Sequence, residues 1–389
     1  MVSRGVKVTI AGSMINFFIG TFYSWSVFAD GLIHQLGWTR TEANLPYTVE
    51  VFVFAMMMVV AGRFQDRIGA RKGAIISGLL LGTSFIFCAL FPAPPGITFF
   101  FGIVFGTGAA FGYAAVTPAA MKWFPPQKRG LVTGFVVMSL GAGSLFWPPL
   151  INALIVTYGV VQTFFMWGLF LLAGVLVMAY FISEPLVAPA DAGKEGVSAK
   201  LEWKKIASHP TFILLWLMMG LASGTGLMVV GHLVQIAEIN FRVESGFLLI
   251  SLFAFFNTGG RFSGGLITDR IGYRKVLFIA FLMILSSMLL FLGTDSWPGL
   301  LLGTILLGCS YGSLFTAFPA AIANIFGLNN FGAYYGMLFT ALGIGGSLGP
   351  FLASSLAELY GSYNMAFALG IAASLLALAL LFVLRKISS

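Results

Sequence analysis

Apolar runs of about 20 residues recur along the whole chain, and a run of that length can cross the hydrocarbon core of a bilayer as one helix. They fall near residues 8–34, 43–64, 74–92, 97–120, 130–156, 160–182, 210–236, 246–267, 276–293, 298–322, 332–356 and 364–384. Lipid offers the backbone no hydrogen-bond partner, so each run must satisfy its own peptide groups within a helix. The pattern predicts an all-α membrane protein with twelve transmembrane helices. Only 9% of the residues are charged, against about 25% in soluble domains, so the apolar residues are lipid-facing and helix-packing surface. The first run continues past Gly20 without a small-residue cleavage site, and reads as the first span and not as a removable signal.

Lysine and arginine set the expected orientation. Arg4 and Lys7 precede the first span, and Arg385 and Lys386 lie at the end of the last. Connections on that same side carry Arg63, Arg67, Arg71, Lys72, Lys128, Arg129, Arg270, Arg274 and Lys275; the other side has essentially Arg40 and Arg242. Both termini are therefore expected to be cytoplasmic, with the chain crossing a plasma (inner) membrane many times. The net charge of +8 sits at segment ends and is not a nucleic-acid footprint. Glu184–Ser208 is the one long polar connection, and reads as a cytoplasmic linker between six-span halves at 1–183 and 209–389. Cys88 and Cys309 lie in apolar segments and suggest neither a disulfide nor a metal site. No nucleotide loop, metal cluster or nucleophile triad is evident, so neither a cofactor, an enzymatic activity nor an ATP-driven pump is expected.

The halves repeat. Gly62-Arg-Phe-Gln-Asp66-Arg67-Ile-Gly69-Ala-Arg71-Lys72 returns as Gly265-Leu-Ile-Thr-Asp269-Arg270-Ile-Gly272-Tyr-Arg274-Lys275, 203 residues later. Gly130, Gly134, Gly141, Gly143 and Pro148 return as Gly332, Gly336, Gly343, Gly345 and Pro350, at an offset of 202. An even number of spans per half gives both halves the same orientation. Parallel repeats of this kind characteristically bind substrate near the bilayer midplane, at the repeat interface.

The most consequential residue is Arg261, inside the run 246–267. An arginine does not lose its proton, and at bilayer depth it costs several kcal/mol. It persists where it faces a polar cavity and has an anion to hold. Asn257 shares its helical face one turn earlier, and Gly259, Gly260, Gly264 and Gly265 leave room for close packing or ligand approach. Arg261 is thus the expected clamp for a substrate carboxylate, the competing role being to pair with a protein carboxylate or to snorkel toward the cytoplasmic headgroups.

The doubled G-x-x-x-D-R-x-G-x-R-K signature resembles that of the major facilitator superfamily, and the resemblance covers the whole chain. It implies two parallel-repeat six-helix bundles. Asp66 and Asp269, with Arg67, Arg71, Arg270 and Arg274, would form a conformational latch in which the acids are held by helix N-termini and neighbouring arginines. Within that superfamily the chain is similar to oxalate/formate antiporter-like proteins and monocarboxylate transporters. The stretches that carry this are Tyr23-Ser-Trp25-Ser-Val27-Phe28, Lys122-Trp-Phe-Pro-Pro-Gln-Lys-Arg129-Gly-Leu-Val-Thr-Gly134, and Tyr335-Gly-Met-Leu-Phe-Thr-Ala-Leu342-Gly-Ile-Gly-Gly. The family's span-eight arginine, thought to bind substrate carboxylate, falls on Arg261.

The departures matter as much. Oxalate carriers of this family have a lysine where this chain has Leu342. Animal monocarboxylate transporters have an aspartate where it has Asn257, and a lysine aligned with Val27. One cation in an otherwise neutral cavity fits one carboxylate, since the second charge of a dicarboxylate would be buried without a partner. Tyr311 and Phe315, one turn apart, are candidates to donate to a bound acid and to shape its apolar end. Tyr23, Trp25, Tyr113, Asn16 and Tyr335 are further candidates, for which packing is the competing role. Glu50, His232 and Asp30 are ionisable groups away from the basic face, and hence candidate proton carriers. The expectation is a monomeric secondary transporter of small monocarboxylates such as L-lactate, coupled to protons, with carboxylate exchange as the alternative. Its partners would be the anion, the proton and the lipid bilayer, with no nucleic acid.

Overall fold

A computed structural model describes residues 2–185, 206–242, 246–328 and 331–387. Most of the linker expected at 184–208 lies outside the described residues. The membrane-length helical segments are α1 (Arg4–Leu36), α2 (Arg40–Ile68), α3 (Ala70–Leu90), α4 (Pro94–Met121), α5 (Arg129–Tyr158) and α6 (Val160–Phe181). They continue as α7 (Pro210–Val230), α8 (Gly246–Ile271), α9 (Tyr273–Gly293), α10 (Trp297–Phe326), α11 (Phe331–Tyr360) and α12 (Asn364–Ile387). All except α8 contain, among the described residues, a stretch long and apolar enough to cross a bilayer. The exception carries Asn257, Arg261, Asp269 and Arg270.

Local chemistry explains where these helices start and stop. Thr39 and Glu42 form a reciprocal capping box that starts α2. The turns after α2 and α8 each use a glycine with positive φ, Gly69 at +94° and Gly272 at +84°. The turns after α5 and α11 do the same with Gly159 and Gly361. A side chain is strained in that region, so the internal sequence repeat is also a repeat of backbone geometry.

Three segments differ from the uninterrupted α-helical runs the sequence pattern predicts; in α4 the residues Thr98–Phe105 are π-helical. Within α1 the residues Gly20–Ser24 form a 3₁₀ turn between α-helical pieces. At that point Gly20 packs against the Leu140 carbonyl and Gly143 of α5, leaving no room for a β-carbon, and Thr21 and Ser24 are weak helix formers. The seventh run, predicted to reach residue 236, ends as a helix at Val230. Gly231 and His232 interrupt it, and a short helix, Leu233–Phe241, follows.

The chain divides into two compact units. The first comprises Met1–Pro126, Phe135–Gly193 and Phe326–Phe339. Its core is aromatic: Trp25 stacks on Phe101 at 3.9 Å, Phe28 on Phe164 at 4.9 Å, and Phe85 meets Phe105 edge-on at 5.5 Å. The second comprises Gln127–Gly134, Lys194–Ile325 and Thr340–Ser389. Its helices meet through small residues. Gly260 and Gly264 of α8 lie against Cys309 and Ser313 of α10, while Gly308 and Gly312 of α10 face Phe256 and Asn257 of α8. Lipid removes the hydrophobic drive for helix association, so close backbone approach and dispersion contacts take its place.

Candidate functional site

The glycine seam between α8 and α10 brings four of the expected residues together within the second unit. Arg261 is fully buried. Its Nε donates to Asn257 Oδ1 over 3.4 Å, the i, i+4 relation expected from the helix. Its guanidinium carbon lies 4.6 Å from the centre of the Phe315 ring on α10. A desolvated cation over an aromatic face gains up to about 2 kcal/mol. Tyr311 meets Phe315 edge-on at 5.3 Å and lies 6.2 Å from the Phe253 ring. The seam sets this spacing, because any side chain at position 312 would strike the Asn257 carbonyl and the Arg261 amide. Leu342 is a buried residue of α11 in the same unit.

The remaining candidates separate by surroundings. In the first unit, Tyr335 Oη donates to Tyr113 Oη over 3.2 Å, and both side chains are buried. Phe339 lies 5.3 Å from the Tyr113 ring and 5.0 Å from that of Tyr335. Tyr23 is exposed and packs on Phe22. Trp25 gives its indole N–H to the Ala43 carbonyl at 2.8 Å, and Asn16 gives its amide to the Val136 carbonyl at 2.9 Å; these bonds hold α1 on α2 and α5.

The candidate proton carriers also differ. Asp30 is exposed and lies 3.3 Å from His34, itself exposed. His232 Nδ1 lies 3.1 Å from the Met228 carbonyl, and its ring is 5.5 Å from Tyr363. Glu50 is buried in α2, with its Oε2 lacking a hydrogen-bond partner.

Each repeated acid binds a helix N-terminus. Asp66 accepts from the N–H groups of Gly332 and Ala333 at 3.0 and 2.8 Å, at the start of α11. Asp269 accepts from those of Gly130 and Leu131 at 2.6 and 2.7 Å, at the start of α5. First-turn N–H groups have no partner within their helix and carry the positive end of its dipole, so a carboxylate completes them. The expected arginine partners behave differently. Among the described residues Arg67 and Arg270 are exposed and make no ion pair, Arg71 lies over the Tyr180 ring at 5.0 Å, and Arg274 Nε donates to Tyr273 Oη at 3.2 Å.

Sequence reasoning assigned Glu184 only to the linker. It accepts from Lys122 Nζ at 2.9 Å, from the Ala70 N–H at 3.1 Å and from Gln65 Nε2 at 3.3 Å, tying the α2–α3 turn to the end of α4. Its position beside Pro185 at the end of α6 was the available signal, but one acid at the edge of a polar stretch looks like solvated linker. Among the described residues no His, Cys, Asp or Glu cluster could hold a metal.

These features define a polytopic helical membrane protein with a buried cation and a repeated acid–helix motif. A family model described as Major Facilitator Superfamily matches residues 10–267 and 237–388, and the chain belongs to this superfamily. The oxalate:formate antiporter of Oxalobacter formigenes is 25% identical over 391 residues, covering 97% of this chain and 90% of that protein. Monocarboxylate transporter 10 of Danio rerio is 25% identical over 357 residues, covering 86% and 69% respectively. The crystal structure of the major facilitator transporter FucP in the outward conformation aligns with a TM-score of 0.76 at 15% identity, over 98% of this chain and 99% of that one. The fold is thus the twelve-helix major facilitator fold.

Proposed function

We propose that this protein is a secondary transporter of small monocarboxylate anions of the L-lactate type, coupled to protons and working by alternating access. The observation that carries this is the fully buried Arg261, with Asn257 at its Nε and the Phe315 ring beneath its guanidinium. A guanidinium offers a planar fork that can meet a carboxylate with two parallel charge-assisted hydrogen bonds. The net affinity needs only to be modest, because a carrier must release what it binds; a millimolar dissociation constant corresponds to about −4 kcal/mol. Asn257 orients the fork, Tyr311 and Phe315 shape the apolar end of the site, and Leu342 leaves no second cation. The Asp66 and Asp269 caps are the conformational latch of this proposal.

In this reading residues 1–183 and 209–389 are the two six-helix bundles of a monomer, with both termini cytoplasmic in a plasma (inner) membrane. Similarity to the oxalate:formate antiporter supports a second reading, exchange of one carboxylate for another. Proteoliposomes separate the two: uptake of labelled L-lactate driven by a pH gradient into vesicles empty of carboxylate supports symport, and strict dependence on internal anion supports exchange.

The clamp itself is tested by Arg261→Gln and Arg261→Lys in purified protein, with L-lactate binding and melting temperature measured on the same samples. Gln removes the charge and abolishes binding in a folded protein, whereas Lys keeps the charge, loses the fork and leaves weak transport. A stable Arg261→Gln protein with unchanged affinity would sink the clamp. A large loss of melting temperature with affinity preserved would make Arg261 a structural ion.

A further inference from the structure

The ionisable groups away from the basic face are not equivalent. Glu50 is 1% exposed, and its Oε2 is a buried oxygen with no hydrogen-bond partner. Its helix, α2, is pressed against α4 at this level. A β-carbon at Gly106 would sit 3.0 Å from the Glu50 carbonyl, and one at Gly102 would meet Val49. On the side of α1, the ring of Phe22 in the 3₁₀ turn lies 6.5 Å from those of both Tyr47 and Phe54, the residues about one turn to either side of Glu50. Residue 50 therefore lies level with the one irregular turn of α1, where Thr21 and Ser24 are also buried.

Among the described residues no cation forms an ion pair with it. α4 has no charged residue between Pro94 and Met121, and its one tyrosine, Tyr113, bonds to Tyr335 of α11. In α1 the ionisable groups are Arg4 and Lys7 near its start, the exposed Tyr23, and the exposed pair Asp30 and His34. In α3 they are Arg71 and Lys72 in the first turn and Cys88 in the last. α2 itself places Arg40 and Glu42 in its first turn, Tyr47 one turn before Glu50, and Arg63, Asp66 and Arg67 in its last turns. An isolated carboxylate in such surroundings is far costlier to bury than a neutral acid. The same group can ionise only if the packing around it opens to water or to a cation.

We propose that Glu50 carries the coupled proton, protonated while α1 and α4 enclose it and releasing that proton when movement at the Gly20–Ser24 turn opens it to water. A 3₁₀ stretch inside a longer helix often marks a hinge. The other two candidates lack this coupling of charge to packing. Asp30 is already exposed beside a histidine, so closure of the surrounding helices does not enclose it, and His232 has a backbone carbonyl as a standing partner. This inference rests on the proton-coupled reading above.

The test uses full-length protein in proteoliposomes, with labelled L-lactate as the probe. Two assays are run on each variant: counterflow without a pH gradient, and uptake driven by an imposed gradient. Glu50→Gln mimics the protonated acid and keeps its shape. It is expected to retain counterflow within about twofold and to lose gradient-driven accumulation by about tenfold or more, because nothing titrates at the position. Glu50→Asp keeps the acid on a shorter stem and is expected to retain accumulation with a displaced pH profile. A Glu50→Gln protein that still accumulates L-lactate overturns the proposal. So does equal loss of both activities in a protein of normal melting temperature, since that marks a role in binding or packing. If Glu50→Gln does not fold, an unchanged pH profile in Glu50→Asp overturns it. Absence of any response to the gradient in the unmodified protein would instead defeat proton coupling itself.

Discussion

The hydroxyl of Tyr335 donates to the hydroxyl of Tyr113 at 3.2 Å, joining the start of α11 to the middle of α4 inside the first unit. Both rings are buried among aromatics, with Phe54 edge-on to Tyr113 at 5.9 Å and to Phe339 at 5.9 Å. The pair is a polar contact between two buried side chains packed against aromatic rings.

Removing either hydroxyl should therefore be felt, and removing both should cost less than the sum. Tyr113→Phe and Tyr335→Phe are each expected to destabilise the protein by about 1 kcal/mol. The double variant should reveal a coupling of about 0.6 kcal/mol, the average for hydrogen bonds between membrane helices. Thermal unfolding of all four proteins in one detergent measures the cycle. Strict additivity would mean that the hydroxyls act through separate partners.

The two acid-capped helix starts make a paired prediction. Asp66→Asn and Asp269→Asn each remove a carboxylate that accepts two peptide N–H bonds. Each substitution should cost about 1–3 kcal/mol, and the two costs should add within about 0.5 kcal/mol because the sites share no partner. Gly332→Ala and Gly130→Ala should also destabilise, since a methyl at 332 meets the Gly62 carbonyl and one at 130 meets the Gly265 carbonyl. Melting temperatures unaffected by any of these changes would rule out a latch at both positions.

Asn257→Asp places a carboxylate one turn from Arg261, where the amide oxygen now receives the guanidinium Nε. A charged aspartate would compete with the substrate anion for the same cation. L-Lactate affinity should fall about tenfold near neutrality and recover as acid neutralises the new carboxylate. Binding measured across a pH series in a folded variant checks this. A profile parallel to that of the unmodified protein would place Asn257 away from the bound anion.

Leu342→Lys adds a cation to a helix that now presents a buried aliphatic side chain. If a single positive charge is what restricts the site to monocarboxylates, oxalate should begin to compete with L-lactate in the variant. A well-folded Leu342→Lys protein indifferent to every dicarboxylate tested would show that selectivity is set elsewhere.

Much of this molecule is legible in its sequence, for a simple reason. Lipid cannot satisfy a peptide group, so run length alone reports helices, and the doubled Asp66 and Asp269 signatures report the repeat. Buried charge is rare at membrane depth, so Arg261 stands out without a structure. Positive-φ turns at Gly69 and Gly272 follow from the same repeated motif.

Other features depend on which side chains meet across helices, and no local pattern encodes that. The sequence by itself determined the helix complement, the repeat and the candidacy of Arg261. Only the tertiary structure decided that Phe315 lies beneath the guanidinium, that the repeated acids bind backbone at Gly332 and Gly130 while Arg67 and Arg270 stay exposed, and that Glu184 ties the α2–α3 turn to Lys122. It also separated Glu50 from Asp30, two acids that read alike along the chain: one is enclosed by α2 and its neighbours, the other stands in the open beside His34. Burial is a property of all the surrounding helices together, and an electrostatic cost set by those neighbours cannot be read from the residue that bears it.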